Sequence, residues 1–276
     1  MNGPVLEKLV RFQRPEKALP YAGDIDERTA AALFGTEVEE YRAALAALDE
    51  QRADAASRLV KRQSVQDALA ALPFTRGDRI VAIGESTTAD RLSWFELLRT
   101  LAEDERPDLE LQFENLAISG ASTTQVLAAL PAIRRRPAEW VFCMLGSNDA
   151  QRVGGSTGLH LVSREETLRN LSALRALAAP DVRTRWVWIT PTPVDEAASG
   201  AFPFFRAAGI SWANDDIAAL AAALGALPDA VVESAPAVAA AQAGGDAAFI
   251  DDGVHPSLRT HEELAVRVLA ALAVAP

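Results

Sequence analysis

The chain has 276 residues, 49% of them hydrophobic and 24% charged, with 27 Lys and Arg against 38 Asp and Glu and a formal charge of −11 at neutral pH. That composition supports a substantial core and excludes a disordered or fibrous chain. The acidic balance repels phosphate backbones and anionic lipid, which argues against nucleic-acid and membrane partners.

The N-terminus, Met1-Asn2-Gly3-Pro4-Val5-Leu6-Glu7-Lys8, is interrupted by charge before a signal peptide's apolar core can build. No later stretch is long and uncharged enough to span a bilayer, so the expected location is cytoplasmic. Residues 1–75 read as a helical accessory region. From about Asp24 to Leu72 the chain is rich in alanine, glutamate and arginine, and Thr36 with Glu39 and Ser64 with Asp67 have the spacing of N-cap pairs. Between them Val38, Tyr41, Leu45, Leu48, Ala55 and Leu59 form a helical stripe that needs a partner. The partner is either the rest of this chain or the same stripe on a second copy, as in a homo-oligomer.

Residues 76–276 have a different texture. Short apolar runs at 80–83, 109–116, 140–145, 186–189 and 230–232 alternate with helical patterns at 91–101, 123–133, 165–177 and 215–224, and a last helix follows from Glu262. Ser163 with Glu166, and Thr260 with Glu263, repeat the capping pattern. This alternation predicts an α/β fold, a three-layer α/β/α sandwich around a parallel sheet. Cys143, the single cysteine, and the pair Trp186 and Trp188 read as core. The basic run 134–136 ends a helix, where positive charge suits the dipole.

Ligands of such folds sit at the carboxyl ends of the strands. Four polar, glycine-bearing segments lie there or near the C-terminus: Gly84-Glu85-Ser86-Thr87-Thr88, Asn115-Leu116-Ala117-Ile118-Ser119-Gly120, Gly146-Ser147-Asn148-Asp149 and Asp251-Asp252-Gly253-Val254-His255-Pro256. Together they supply a serine, a histidine, a carboxylate three residues before it, and backbone and amide donors for an oxyanion, which is the set that acyl transfer needs. Of the other two histidines, His261 and His160 read as solvent-facing, with His160 also placed to line a substrate mouth. The spacing favours Asp252 over Asp251 as the histidine's partner. Gly154-Gly155-Ser156-Thr157-Gly158 mimics a nucleophile elbow but lacks the strand before it and the helix after it, so it reads as a flexible loop near the site.

In order and placement the four segments resemble the blocks of the SGNH hydrolases, also called the GDSL esterase/lipase family, over about residues 79–276. The resemblance implies a flavodoxin-like sheet of five parallel strands. It implies Ser86 as nucleophile, His255 as general base and Asp252 as the residue that orients it. The oxyanion hole would be the backbone N–H groups of Ser86 and Gly120 and the side-chain amide of Asn148. No metal or other cofactor is implied. Thr88 and Asn115 match the family pattern, whereas Glu85 stands where the family usually has aspartate, moving its carboxylate by about a bond length. The expected activity is hydrolysis of a carboxylic ester, a short acyl or O-acetyl group on a small molecule or glycan, through an acyl-enzyme. An acyltransferase using the same site, or a non-catalytic scaffold that keeps the fold, are the alternatives. The N-terminal helices are expected to stand outside the catalytic site, because no strand-end motif precedes residue 80.

Overall fold

The computed structural model describes residues 3–19 and 25–274. Met1, Asn2 and Asp24, which enter the reading of the N-terminus and of the start of the helical region, lie outside the described residues. Eight strands form among the described residues: β1 Arg79–Gly84, β2 Gln112–Asn115, β3 Trp140–Met144, β4 Arg152–Val153, β5 Leu159–His160, β6 Arg185–Ile189, β7 Ile210–Ser211 and β8 Ala230–Val232. Five of them make a parallel sheet in the order β2-β1-β3-β6-β8. The expected α/β sandwich with flanking helices and N-terminal helices is present.

Alternation along the strands sorts the core into two faces. Ile80, Ala82, Phe142, Met144, Val187, Ile189 and Val232 pack in one cluster with helices Val38–Leu59, Gln63–Ala70, Trp94–Glu105 and Leu258–Ala273. Val81, Ile83, Val141, Cys143, Trp186 and Trp188 pack in the other, which also takes Val126, Leu171, Leu174, Leu220 and Leu224 from helices Thr123–Ala128, Arg164–Ala178 and Asn214–Gly225. Cys143 and both tryptophans are buried, as core residues. The stripe of helix Val38–Leu59 is covered within the chain. Ala55 and Leu59 join the sheet's core, while Tyr41 and Leu48 pack with Leu6 and Val10 of the first helix, Gly3–Phe12, and with Leu92. Apolar packing therefore crosses the expected boundary at residues 75 and 76.

The register positions the site. Gly84 lies opposite Met144 and Ala82 opposite Asn115, so the chain leaves β1, β2 and β3 at one level of the carboxyl edge. Gly84 has no substitute there: an added Cβ would lie 2.6 Å from Thr88 Cβ and 3.1 Å from the Met144 carbonyl oxygen, a close approach only glycine allows.

Several local expectations are corrected. The run 109–116 is a strand only over Gln112–Asn115, because Pro107–Leu109 is a 3-10 turn and Glu110 takes a left-handed backbone with φ 46°. The pattern 123–133 is two helices, Thr123–Ala128 and Leu130–Arg134, since Pro131 lacks the N–H that would continue the first. Ser163 does cap its helix, but Thr36, Ser64 and Thr260 do not. The last helix begins a turn earlier, on Ser257, and Thr260 donates to the Ala248 carbonyl at 2.7 Å. The segment around Ser156 is the turn of a hairpin, with β4 paired to β5 and β7, and Ser156 is exposed at its tip.

Leu48 is fully buried where the first helix, helix Val38–Leu59 and the loop after β1 meet. Leu48→Ala is expected to lower stability by about 2–5 kcal/mol through lost burial and a residual cavity, within a single urea-unfolding transition. A separate early transition carrying the whole loss would contradict a core shared between the N-terminal helices and the sheet.

Candidate active site

Ser86 opens a four-residue helical turn, Ser86–Ala89, directly after β1 and Glu85. Its Oγ lies 3.0 Å from His255 Nε2, and His255 Nδ1 lies 2.9 Å from Asp252 Oδ2. The other oxygen, Asp252 Oδ1, accepts the backbone N–H groups of Val254 at 3.0 Å and of His255 at 2.9 Å. This carboxylate thereby folds its own loop and aims the imidazole. The loop is closed by Ile250 N–H donating to the His255 carbonyl at 3.0 Å and braced by Asp195 N–H donating to Gly253 O at 2.7 Å. Burial works against the Asp252 charge, but hydrogen bonds from His255 and Lys8 and the adjacent imidazole hold its carboxyl well below the usual range. Asp251, the adjacent carboxylate, does not reach His255; it pairs with Lys8 at 2.8 Å.

Glu85 is buried, and its Oε2 accepts the Ser86 hydroxyl at 2.8 Å. Burial pushes its carboxyl up, against the pull of hydrogen bonds from Ser86 and Thr87 and of the nearby His255. The Ser86 hydroxyl has one proton and two acceptors, Glu85 and His255. A protonated Glu85 removes that competition, leaving the hydroxyl proton to His255.

The other expected members lie on neighbouring turns. Gly120 takes φ 80° in an exposed turn beside Ser119. Asn148 Nδ2 donates one hydrogen to the Ala121 carbonyl at 3.1 Å, which leaves its second for another acceptor. Asn115 ties the second segment to the first, donating to Thr88 O at 2.7 Å and to Glu96 Oε1 at 3.1 Å. Asp149 accepts from Thr123 N–H at 2.9 Å, from the Thr123 hydroxyl and from Thr167 Oγ1 at 3.1 Å, which locks the third segment to two helices. Among the described residues no three His, Cys, Asp or Glu side chains converge to hold a metal ion.

Two placements differ from the sequence expectations. His261 is fully buried rather than solvent-facing: its Nδ1 accepts Trp94 N–H at 3.3 Å and its Nε2–H donates to Asp90 Oδ2 at 3.1 Å. Its position on the apolar face with Leu264, Ala265, Val268 and Leu272 was the available signal. His160, half-exposed on β5, pairs at 3.0 Å with Asp216 of helix Asn214–Gly225. The N-terminal helix is not set apart from the site. Arg11 forks onto Asp90, at 2.7 Å for the shorter pair, Arg14 reaches Glu96 at 2.7 Å and Ala89 O at 2.9 Å, Lys8 lies 2.9 Å from Asp252 Oδ2, and the Phe12 ring packs 4.5 Å from that of His255.

The model of the GDSL-like lipase/acylhydrolase family matches residues 77–263. The chain belongs to this family. No curated protein matches it. Among solved structures, an acetylxylan esterase from Geobacillus stearothermophilus is 21% identical with a TM-score of 0.55, covering 73% of this chain and 96% of its own. An alpha/beta hydrolase from the metagenome of Lake Arreo, Spain, is 22% identical with a TM-score of 0.53, covering 72% of this chain and 96% of its own. At that identity the likeness is one of fold, and it agrees with the five-stranded parallel sheet. Membership of the GDSL-like family makes the protein a hydrolase.

The buried Asp90 network is expected to make this GDSL-like hydrolase less stable in acid. Burial opposes the Asp90 charge, yet Arg11 and His261 hold its carboxyl below the ordinary 3.8, so its contribution is present above that value and lost as pH falls below it. Burial depresses His261 below 6.5 despite Asp90, so unfolding takes up a proton there and stability starts to fall below about that pH. Thermal midpoints are expected to drop steadily from neutral to acidic pH, and His261→Gln should flatten the upper part of that decline. An unchanged slope in the variant would remove His261 from the account.

Proposed function

We propose that this GDSL-like hydrolase is a serine esterase that cleaves a short acyl or O-acetyl ester through an acyl-enzyme. The observation that supports it is the continuous line of hydrogen bonds from Asp252 through His255 to Ser86 at the carboxyl edge of the sheet. In this reading Ser86 Oγ attacks the ester carbonyl carbon while its proton passes to His255 Nε2. The carbonyl oxygen becomes an oxyanion between the N–H groups of Ser86 and Gly120 and the free hydrogen of the Asn148 amide. His255 then returns the proton to the departing alkoxide oxygen, leaving the acyl group on Ser86. Water, deprotonated by the same imidazole, attacks that acyl group and releases the acid. Asp252 keeps Nδ1 protonated throughout and stabilises the imidazolium.

A small acyl group suits the surroundings. Ser86 is only 7% exposed, and the Phe12 ring walls His255 on one side. The acetylxylan esterase among the solved structures is named for an O-acetyl substrate, which is consistent with an acetylated glycan or small molecule here.

On nitrophenyl esters kcat/KM for acetyl is expected to exceed that for decanoyl. Ser86→Ala should lower turnover by several powers of ten, whereas Ser156→Ala should retain most activity. A decanoyl preference would overturn the short-acyl reading, and full activity in Ser86→Ala would overturn the nucleophile.

A further inference from the structure

One face of the first helix meets two of the four site segments and Asp90, the residue that closes the Ser86 turn. Arg11 holds Asp90 at the end of the Ser86 turn and also reaches the Pro256 carbonyl at 3.3 Å. Ser119 Oγ, beside Gly120, donates to the Phe12 carbonyl at 2.5 Å. Lys8, one turn earlier on the helix, places Nζ 2.9 Å from Asp252 Oδ2, the same oxygen that lies 2.9 Å from His255 Nδ1. The ammonium also lies 2.8 Å from Asp251 Oδ1 and 4.7 Å over the Phe202 ring.

A carboxylate has room for about four donors, two on each oxygen. Val254 and His255 N–H fill Oδ1, and His255 Nδ1 and Lys8 fill Oδ2. Rotation of Asp252 would break all four contacts. The charged groups around His255 are Asp252 and Asp251 on its own loop, Glu85 on the Ser86 turn, and Lys8 and Arg11 on the first helix, with Asp90 and His261 behind Arg11. Arg11 is already engaged by Asp90, so Lys8 is the cation that answers Asp252 and Asp251 directly.

We propose that Lys8 is a positioning residue of the Asp252–His255 pair: through the Asp252 oxygen it shares with His255, it holds the carboxylate in place and opposes the negative charge around the imidazole. This rests on the serine-esterase reading above. Lys8 touches no reacting atom and acts through Asp252. Hydrogen bonds to Asp251 and Asp252 keep it charged, raising its proton affinity against the effect of partial burial. Removing the ammonium takes one of four donors from Asp252, so the carboxylate holds the imidazole less firmly and Ser86 reacts more slowly.

The test is the rate of labelling by a fluorophosphonate probe, measured at neutral pH for the full chain, Lys8→Met, Lys8→Gln, Lys8→Arg and Ser86→Ala. The wild type should label and Ser86→Ala should not, which checks the underlying reading by itself. An unlabelled wild type, or a labelled Ser86→Ala, overturns that reading and the proposal with it. With labelling on Ser86 established, Lys8→Met and Lys8→Gln should react about fivefold more slowly than the wild type, and Lys8→Arg should restore the rate. A Lys8→Met or Lys8→Gln rate equal to that of the wild type, or a Lys8→Arg as slow as Lys8→Met, overturns the role of Lys8 while leaving Ser86 as nucleophile.

Discussion

A carboxylate with no exposed surface cannot stay charged without partners, and Asp90 is such a group. It follows the Ser86–Ala89 turn and receives Arg11 from the first helix, His261 from the last helix and the Leu92 N–H at 2.8 Å. Removing any one of these would leave a buried charge short of a donor, which is far more costly than breaking an exposed pair. Both ends of the chain are thus drawn to the residue that closes the nucleophile turn. Glu96 repeats the device one helix further on, taking Arg14, Arg99 and Asn115. The buried charges fix where the first helix docks, and that docking brings Lys8 and Phe12 against the Asp252–His255 loop.

The parallel sheet supplies the remaining constraint. With Gly84 opposite Met144 and Asn115 opposite Ala82, the segments after three strands emerge side by side, and their backbone groups are satisfied by one another. Leu116 and Ile118 N–H donate to the Ala82 and Gly84 carbonyls at 2.8 and 3.1 Å, continuing the ladder past the strand ends. Trp212 Nε1 donates to Ser147 O at 2.9 Å, supporting the turn that carries Asn148. Residues without chemistry of their own hold the reactive ones in place, as a site of fixed geometry requires.

What the sequence disclosed was what is local. The strands are short apolar runs, and the Asp252 to His255 spacing of three residues is a closed loop whose hydrogen bonds lie within the motif itself, so both were legible without coordinates. The docking of the first helix was not. Lys8 meets Asp252 and Arg11 meets Asp90 across long separations, and a ten-residue amphipathic helix carries no motif that names its partner. His261 was misplaced for the converse reason: a polar residue on an apolar face looks exposed until its buried partner is known. Caps at Thr36 and Thr260 failed because other acceptors, the Glu40 carboxylate one turn on for Thr36 and the Ala248 carbonyl for Thr260, took the hydroxyl that a cap would have used.

The central claim is that chemistry passes through Ser86 within this assembled edge. It is tested most directly by mixing the full chain with an activated acetyl ester, quenching in acid within the first turnover, and locating the acyl group by peptide mass spectrometry. The account predicts one acetyl group, on Ser86, and none in Ser86→Ala. Steady turnover with no acyl group on Ser86, or an acyl group on Ser156, would contradict it.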